Sequence, residues 1–386
     1  MIIPRNSLEA LKFGQWFKLI CGASYQDVSK VRNLSLVYSL AGADCIDVAA
    51  DLAVVRAAVE GIAISQTIAP AFCGQRPWLM VSFNDGADPH FRKAWFDIQS
   101  CPTDCSRPCE RICPADAILP VSPSLSIGLS QVAVPGVLTE RCYGCGRCVP
   151  VCPYGLLKEH AFTVAAGDVL PTLMPYIDAI EIHTQVGRQN EFEHLWHQLA
   201  AYIPHLKLVA ISCPDSDIQS NAIVDYLTQL YQLMEPKPSQ LLWQTDGRPM
   251  SGDIGKGTTR ATIRLAEKVL NARLPGYVQL AGGTNDYTVA KLRSLDLLSP
   301  PPSTSGQEQT ETPSIHGIAY GSYARRLVNV GDSPLEKRPE QLWQQVQLAH
   351  ALVSQIKPNE LRKYQISQFL KQSHCSAQTS ATAIPP

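Results

Sequence analysis

Apolar and polar positions alternate along the chain in a way that predicts strands and helices in turn. FKLIC at 17–21 is a short, mostly apolar run with strand character, and DVSKVRNLSLVYSLAGA behind it has the spacing of a helix. CIDVA at 45–49 and WLMVSF at 78–83 are the next strands, with the helical stretch DLAVVRAAVEGIAI between them. The pattern then breaks and resumes with AIEIH at 179–183, LKLVAIS at 206–212, LLWQT at 241–245, YVQLA at 277–281 and IHGIAY at 315–320. Helix-like EFEHLWHQLAAYI, NAIVDYLTQLYQLM and RATIRLAEKVLNA separate the earlier of these runs, and QLWQQVQLAHALVSQI at 341–356 reads as a closing helix. Eight strands of this kind predict an α/β fold, a (β/α)8-like barrel with an inserted cysteine-rich domain after the third strand. A doubly wound sheet has similar alternation and is the alternative. The expected organisation is a first part of the barrel over 1–95, the inserted domain over 96–162, a second part of the barrel over 163–330, and a C-terminal helix with a disordered tail over 331–386. The Pro/Ser/Gln-rich segment at 299–314 is expected to be a surface loop before the last strand.

The alternation also says which side chains face inward. In AIEIH, Ile180 and Ile182 share one face, so Glu181 and His183 share the other. By the same rule Asp47 opposes Ile46 and Val48, and Ser82 opposes Leu79, Val81 and Phe83, with Asn84 just beyond. If the apolar residues pack beneath the helices, Asp47, Ser82, Asn84, Glu181 and His183 point into the barrel. A purely structural barrel fills that space with branched apolar residues. Polar groups there suggest a pocket, against a hydrogen-bonded polar core or a register slipped by one residue.

Composition narrows the function. The formal charge of the 386 residues is -1, which leaves no basic footprint for nucleic acid. No apolar run of about 18 residues predicts a membrane span, and MIIPRNSLEALKFG at the start lacks the long apolar core of a signal peptide. The expected location is therefore the cytoplasm. In such a reducing compartment, 13 cysteines point away from disulfides, and eight of them fall between Cys101 and Cys152.

The second half of that cluster reads Cys142-x2-Cys145-x2-Cys148-x3-Cys152-Pro153. This is the bacterial ferredoxin run, in which three closely spaced thiolates grip one cubane and the fourth reaches another. Zinc sites place two CxxC-like pairs further apart. The first half, Cys101-x3-Cys105-x3-Cys109-x3-Cys113-Pro114, keeps four cysteines and the closing proline but uses three-residue spacers. Its irregularity leaves open a [3Fe-4S] cluster in place of [4Fe-4S], or one spare thiol. VSPSLSIGLSQVAVPGVLT between the motifs is expected to be a connecting loop or hairpin.

Other candidates are weaker. Gly282 and Gly283 follow the seventh predicted strand, and Gly321 and Ser322 follow the eighth, where barrels commonly bind phosphate. Ordinary turn glycines are the favoured alternative. The loop DGRPMSGDIGKGTTR carries Asp246, Arg248, Lys256 and Arg260 but fails the P-loop spacing. Cys21, Cys45, Cys73 and Cys213 read as small core residues, and His194 and His197 as ordinary helix-surface histidines.

Residues 96–162 together resemble a two-cluster bacterial-type ferredoxin domain. That resemblance implies Cys101, Cys105, Cys109 and Cys152 around one cluster, and Cys142, Cys145, Cys148 and Cys113 around the other. From about residue 10 to 355 the chain resembles the light-dependent-period iron–sulfur proteins of cyanobacteria, which serve circadian clock input. The resemblance rests on CPTDCSRPCERICPADAI, RCYGCGRCVPVCPYGL, the N-terminal segment from FKLICGASYQDV to VRAAVEGI, and QLAGGTNDYTVAKL. It implies a redox sensor that associates with the circadian oscillator and with clock-associated histidine kinases. A sensor of this kind needs an electron donor, a soluble carrier or a quinone. The competing reading is a barrel oxidoreductase in which the clusters feed a flavin or a substrate at the barrel mouth. It rests on fold-level analogy, and no clear catalytic constellation supports it. A plain electron carrier would leave most of the chain without a purpose.

Overall fold

A computed structural model describes residues 6–70, 76–86, 91–120, 134–142, 144–161, 165–214, 221–247, 257–298, 314–357 and 362–370. Among them, eight parallel strands close into a barrel: β1 (Trp16–Ile20), β2 (Cys45–Ala49), β3 (Trp78–Asn84), β6 (Ala179–His183), β7 (Leu208–Pro214), β8 (Leu241–Asp246), β9 (Tyr277–Ala281) and β10 (Gly317–Tyr320). Each pairs with its neighbours in this order, and β1 closes on β10 with Trp16 opposite Gly317. The eight runs picked out by alternation are these eight strands, so the closed barrel is the observed architecture.

The remaining two strands, β4 (Arg92–Trp95) and β5 (Lys158–Ala161), form a separate antiparallel pair between β3 and β6 in the chain. The clustered cysteines lie between those two strands.

Helices cover the barrel. Helix α2 (Val28–Ala41) begins at Asp27, whose carboxylate caps the Lys30 N–H, and ends at Gly42, whose φ of 105° is open to glycine. Helix α3 (Leu52–Ile68) is capped by Asp51 and packs closely on α2. Gly61 makes that approach feasible, because a Cβ there would lie 2.2 Å from the Arg32 carbonyl oxygen. The predicted closing helix is α11 (Pro339–Ile356), which buries Leu342, Trp343, Val346 and Val353 in the same core as α2.

The sheet separates two cores. Phe17, Ile46, Val48, Leu79, Val81, Phe83, Ile180 and Ile182 face outward beneath the helices. Inside, the lower end of the barrel is plugged by Trp16, Cys45, Trp78, Met80, Leu208 and Leu242, with Leu11 of α1 (Ser7–Lys12) as a stopper. The chain therefore fills one end of the barrel with apolar groups and leaves the other for polar ones.

Several expected features lie outside the described residues: the surface loop over 299–313, most of the connector between the cysteine motifs, the tail beyond 370, Cys73, and Arg248 and Lys256 of the loop after β8. Cys21, Cys45 and Cys213 are buried, as core residues should be. His194 and His197 lie exposed on α6 (Gln189–Leu199).

Candidate functional sites: a cysteine lobe and the mouth of the barrel

Pairing of β4 with β5 sets the two cysteine motifs side by side, because β4 leads into the first and β5 follows the second. The thiols then group across the motifs. Cys101 interacts with Cys105 and Cys109, and Cys109 with Cys152. Cys145 and Cys148 interact with Cys142 and with Cys113. Cys113 of the first motif lines one cavity with Cys142, Cys145 and Cys148 of the second, the kind of exchange that a bacterial ferredoxin run makes.

The wider spacing of the first motif has a local cause. Arg107 adopts a left-handed conformation, φ 52°, just before the short helix α4 (Pro108–Ile112) that carries Cys109. Its N–H points back at Cys105 Sγ, 3.4 Å away, and its guanidinium binds the Leu119 carbonyl. That turn lies in the Cys105–Cys109 spacer and takes up one of the motif's two extra residues. In the second motif Gly144 has φ 68°, and a Cβ on it would fall 2.0 Å from the Arg92 carbonyl oxygen. Only glycine lets the cysteine loop lie this close to β4.

The second group fits a cluster well. Cys113, Cys142, Cys145 and Cys148 line one cavity, whose wall includes Ala94, Ala117, Ile118 and Val137. Backbone N–H groups of Ala94 and Ala117 donate to Cys142 and Cys113 sulfur, each at 3.3 Å. Among the described residues, no three His, Cys, Asp or Glu side chains converge to hold a single metal ion. A cubane spreads its thiolates over the corners of a larger body.

Burial raises the Cys101, Cys109 and Cys145 thiols, and with neighbouring thiols it pushes Cys148 up to about 12. At Cys152 burial acts the same way, but N–H groups from Leu157, Leu156, Tyr154 and Gly155 outweigh it and hold the thiol below its usual value. Metal coordination is what turns buried thiols into thiolates.

The second site is the upper end of the barrel. Lys18 is fully buried there, donates to Glu181 and lies 3.5 Å from Asp47. His183 Nε2 sits 2.9 Å from the other Glu181 oxygen, and Ser82 donates to Asp47 at 2.9 Å. Gln244 donates to Glu181 at 2.6 Å and accepts from Gln279, which in turn accepts from the Trp16 indole at 2.9 Å. Burial works against the Glu181 carboxylate, but Lys18 and His183 hold its pKa down to about 2. For Asp47 burial wins over Lys18, and with repulsion from Glu181 it raises the pKa to about 6. Burial would also discharge Lys18, yet the two carboxylates keep its pKa above the ordinary lysine value. Lys18 is thus a fixed cation, and Asp47 is poised to exchange a proton near neutral pH.

Asp47, Ser82, Glu181 and His183, placed inward by alternation, all line this cavity. Asn84 does not: its side chain turns to the Gly86 carbonyl at the strand end. Gly282, Gly283, Gly321 and Ser322 border the same space. Lys18, Gln244 and Gln279 were not singled out beforehand, although the period of two places them. Lys18 alternates with Phe17 and Leu19, and Gln244 with Trp243 and Thr245.

Two family models match the chain. The LdpA Fe-S cluster-binding domain covers residues 101–163, and the Light dependent period A C-terminal domain covers residues 173–355. A curated protein, Light dependent period A of Synechococcus elongatus (strain ATCC 33912 / PCC 7942 / FACHB-805), is 50% identical over 358 residues, which cover 91% of this chain and 93% of that one. The chain belongs to the light-dependent-period-A family. All eight clustered cysteines fall inside the LdpA iron–sulfur model, and the chain is an iron–sulfur protein of the light-dependent period pathway. The LdpA C-terminal model spans β6 to β10 and most of α11, five of the eight barrel strands. Among the described residues no helix is long and apolar enough to cross a membrane.

Proposed function

We propose that this chain is a cytoplasmic redox sensor that carries two iron–sulfur clusters and passes their oxidation state to the circadian clock. One cluster is held by Cys101, Cys105, Cys109 and Cys152, the other by Cys142, Cys145, Cys148 and Cys113. The observation that supports this reading best is the cavity that Cys113 of the first motif lines with Cys142, Cys145 and Cys148 of the second. The clusters supply one-electron chemistry. The chain's own residues hold them, shield them and sense their charge.

Lys93 supports the sensing role. It lies close enough to Cys142 to feel its charge, and its ammonium binds Gln26 at 2.6 Å and the Thr139 carbonyl at 2.7 Å. Gln26 belongs to the loop after β1 and also bonds Asp51, the cap of α3. A change of cluster charge would therefore be felt by the loops of the barrel. The electron donor is a soluble carrier or a quinone, and the readers are the oscillator protein and clock-associated histidine kinases. The name of the S. elongatus relative, Light dependent period A, supports a role in light-dependent period control.

Iron, acid-labile sulfide and EPR on anaerobically purified protein test the reading. About eight iron and eight sulfide per chain are expected for two four-iron clusters, falling to about half in Cys145→Ala. About seven iron with a three-iron signal would assign [3Fe-4S] to the irregular first site. Stoichiometric zinc without sulfide would overturn the redox reading. The polar cavity favours a second reading, an oxidoreductase fed by the clusters, and flavin bands in the pure protein would support it.

A further inference from the structure

The two cysteine motifs turn their chains with different residues. In the second motif the left-handed backbone positions fall to Gly144 and Gly146, with φ of 68° and 70°. Glycine adopts that conformation without steric cost. In the first motif the left-handed position between Cys105 and Cys109 falls to Arg107, with φ of 52°. A side chain strains the backbone there, and glycine would relieve it. The turn therefore carries an arginine against the local conformational preference, and the guanidinium gives the reason.

The Arg107 side chain is only 14% exposed. Its Nη2 donates to the Leu119 carbonyl. Glu110 lies 3.1 Å from Nε without hydrogen-bonding geometry, and its own side chain is 44% exposed, so solvent screens the compensation it offers. Nη1 is buried and has no hydrogen-bond partner among the described residues. Buried donors are rarely left so, because an unpaired one is destabilising.

The surroundings of the guanidinium name the acceptor. Burial raises the Cys101 thiol, and the Arg107 charge is the largest influence opposing it. At Cys109 the Glu110 N–H and then the Arg107 charge oppose burial in the same way. The Arg107 backbone N–H meets Cys105 Sγ at 3.4 Å. One residue thus acts on three of the four cysteines assigned to the first cluster. Cluster sulfurs accept hydrogen bonds, and those bonds help to set the reduction potential.

We propose that Arg107 tunes the first cluster: its Nη1 donates to a sulfur of that cluster and favours the reduced, more negative form. The proposal rests on the two-cluster reading. A cation and a donor beside one cluster raise the midpoint potential of that cluster and leave the other in place.

The test is a dithionite titration of the intact, anaerobically purified protein, followed by EPR, on wild type, Arg107→Met and Arg107→Gln. Two one-electron waves are expected in the wild type, and the wave that survives Cys145→Ala belongs to the first cluster. A single wave in the wild type, or none, overturns the two-cluster reading and this proposal with it. Arg107→Met is expected to lower the first cluster's midpoint by the equivalent of about tenfold in the reduction equilibrium, about 59 mV for one electron. The other midpoint and the iron content should not change. Arg107→Gln loses the charge but keeps an amide donor for the Leu119 carbonyl, and should move the same midpoint in the same direction by less. If Arg107→Met loses the first cluster, Arg107→Gln decides. Unchanged midpoints in a variant that keeps its iron, equal movement of both, or loss of the first cluster from both variants would overturn the proposal. In each of those cases two wild-type waves leave the two-cluster reading standing.

Discussion

In the barrel, Lys18 lies between Glu181 and Asp47, carboxylates from two other strands, and Glu181 also meets His183. In the cysteine lobe, burial and mutual repulsion raise thiols such as Cys145 and Cys148, and the Arg147 charge that acts on Cys145 offsets this only in part. Both regions bury ionisable groups. The barrel satisfies them with its own side chains, and the lobe requires iron to do so. The barrel's polar interior is therefore complete as a folded unit, whereas the lobe's stability is linked to its metal.

Removing one partner in the barrel should give the largest effect. Lys18→Met leaves Glu181 and Asp47 buried beside an apolar side chain, and a loss of about 3–5 kcal/mol is expected in denaturant unfolding, with iron content unchanged. A loss under about 1 kcal/mol would mean that the network is not electrostatically closed.

The lobe should respond in the opposite currency, metal rather than barrel stability. Gly144→Ala pushes a methyl group into the Arg92 carbonyl oxygen and forces a left-handed residue on alanine. Iron is expected to fall by about half, from one of two clusters, while the barrel's unfolding midpoint stays in place. Full iron content in this variant would show that the loop between Cys142 and Cys145 can move off β4.

A smaller effect sharpens the account of the barrel. The Asp47 pKa is raised to about 6, so the folded state holds a proton that an unfolded carboxyl loses near pH 3.9. Its contribution is present below that value and is lost as pH rises toward 6. Glu181 has the reverse sign: held near 2, it contributes above about pH 4.5, and that contribution is lost as pH falls through 2. Asp47→Asn should therefore flatten the stability profile between about pH 4 and 6, by on the order of 2 kcal/mol, and leave the lower arm intact. Unchanged slopes would remove Asp47 from the titrating set.

The smallest expected change crosses between the regions. Lys93→Met removes a cation near Cys142 and the bonds to Gln26 and Thr139. One cluster's midpoint potential should fall, because an added electron loses a favourable charge, while the other stays put. Equal movement of both potentials would contradict the division of cysteines.

Alternation made much of this readable. A period of two with apolar residues on one face is forced on any strand that packs beneath helices, so Ile180 and Ile182 already oriented Glu181 and His183. The same rule placed Lys18 and Gln244, but a lone lysine between Phe17 and Leu19 looks like a snorkelling surface residue until its partners are known. Those partners, Glu181 and Asp47, come from strands remote in sequence. Asn84 failed for a local reason, since at the last position of β3 the turn at Gly86 captures its amide.

Spacing and periodicity by themselves determined the eight strands, the two four-cysteine motifs and the polar character of several inward positions, because each depends on neighbours only a few residues away. Tertiary structure set the cavity that Cys113 lines with Cys142, Cys145 and Cys148, and it alone decided that Arg325 stands across the rim from the Gly282–Gly283 turn and that one lysine answers two carboxylates. Those relations depend on barrel closure and on the pairing of β4 with β5, contacts between segments far apart in the chain whose geometry no local pattern encodes.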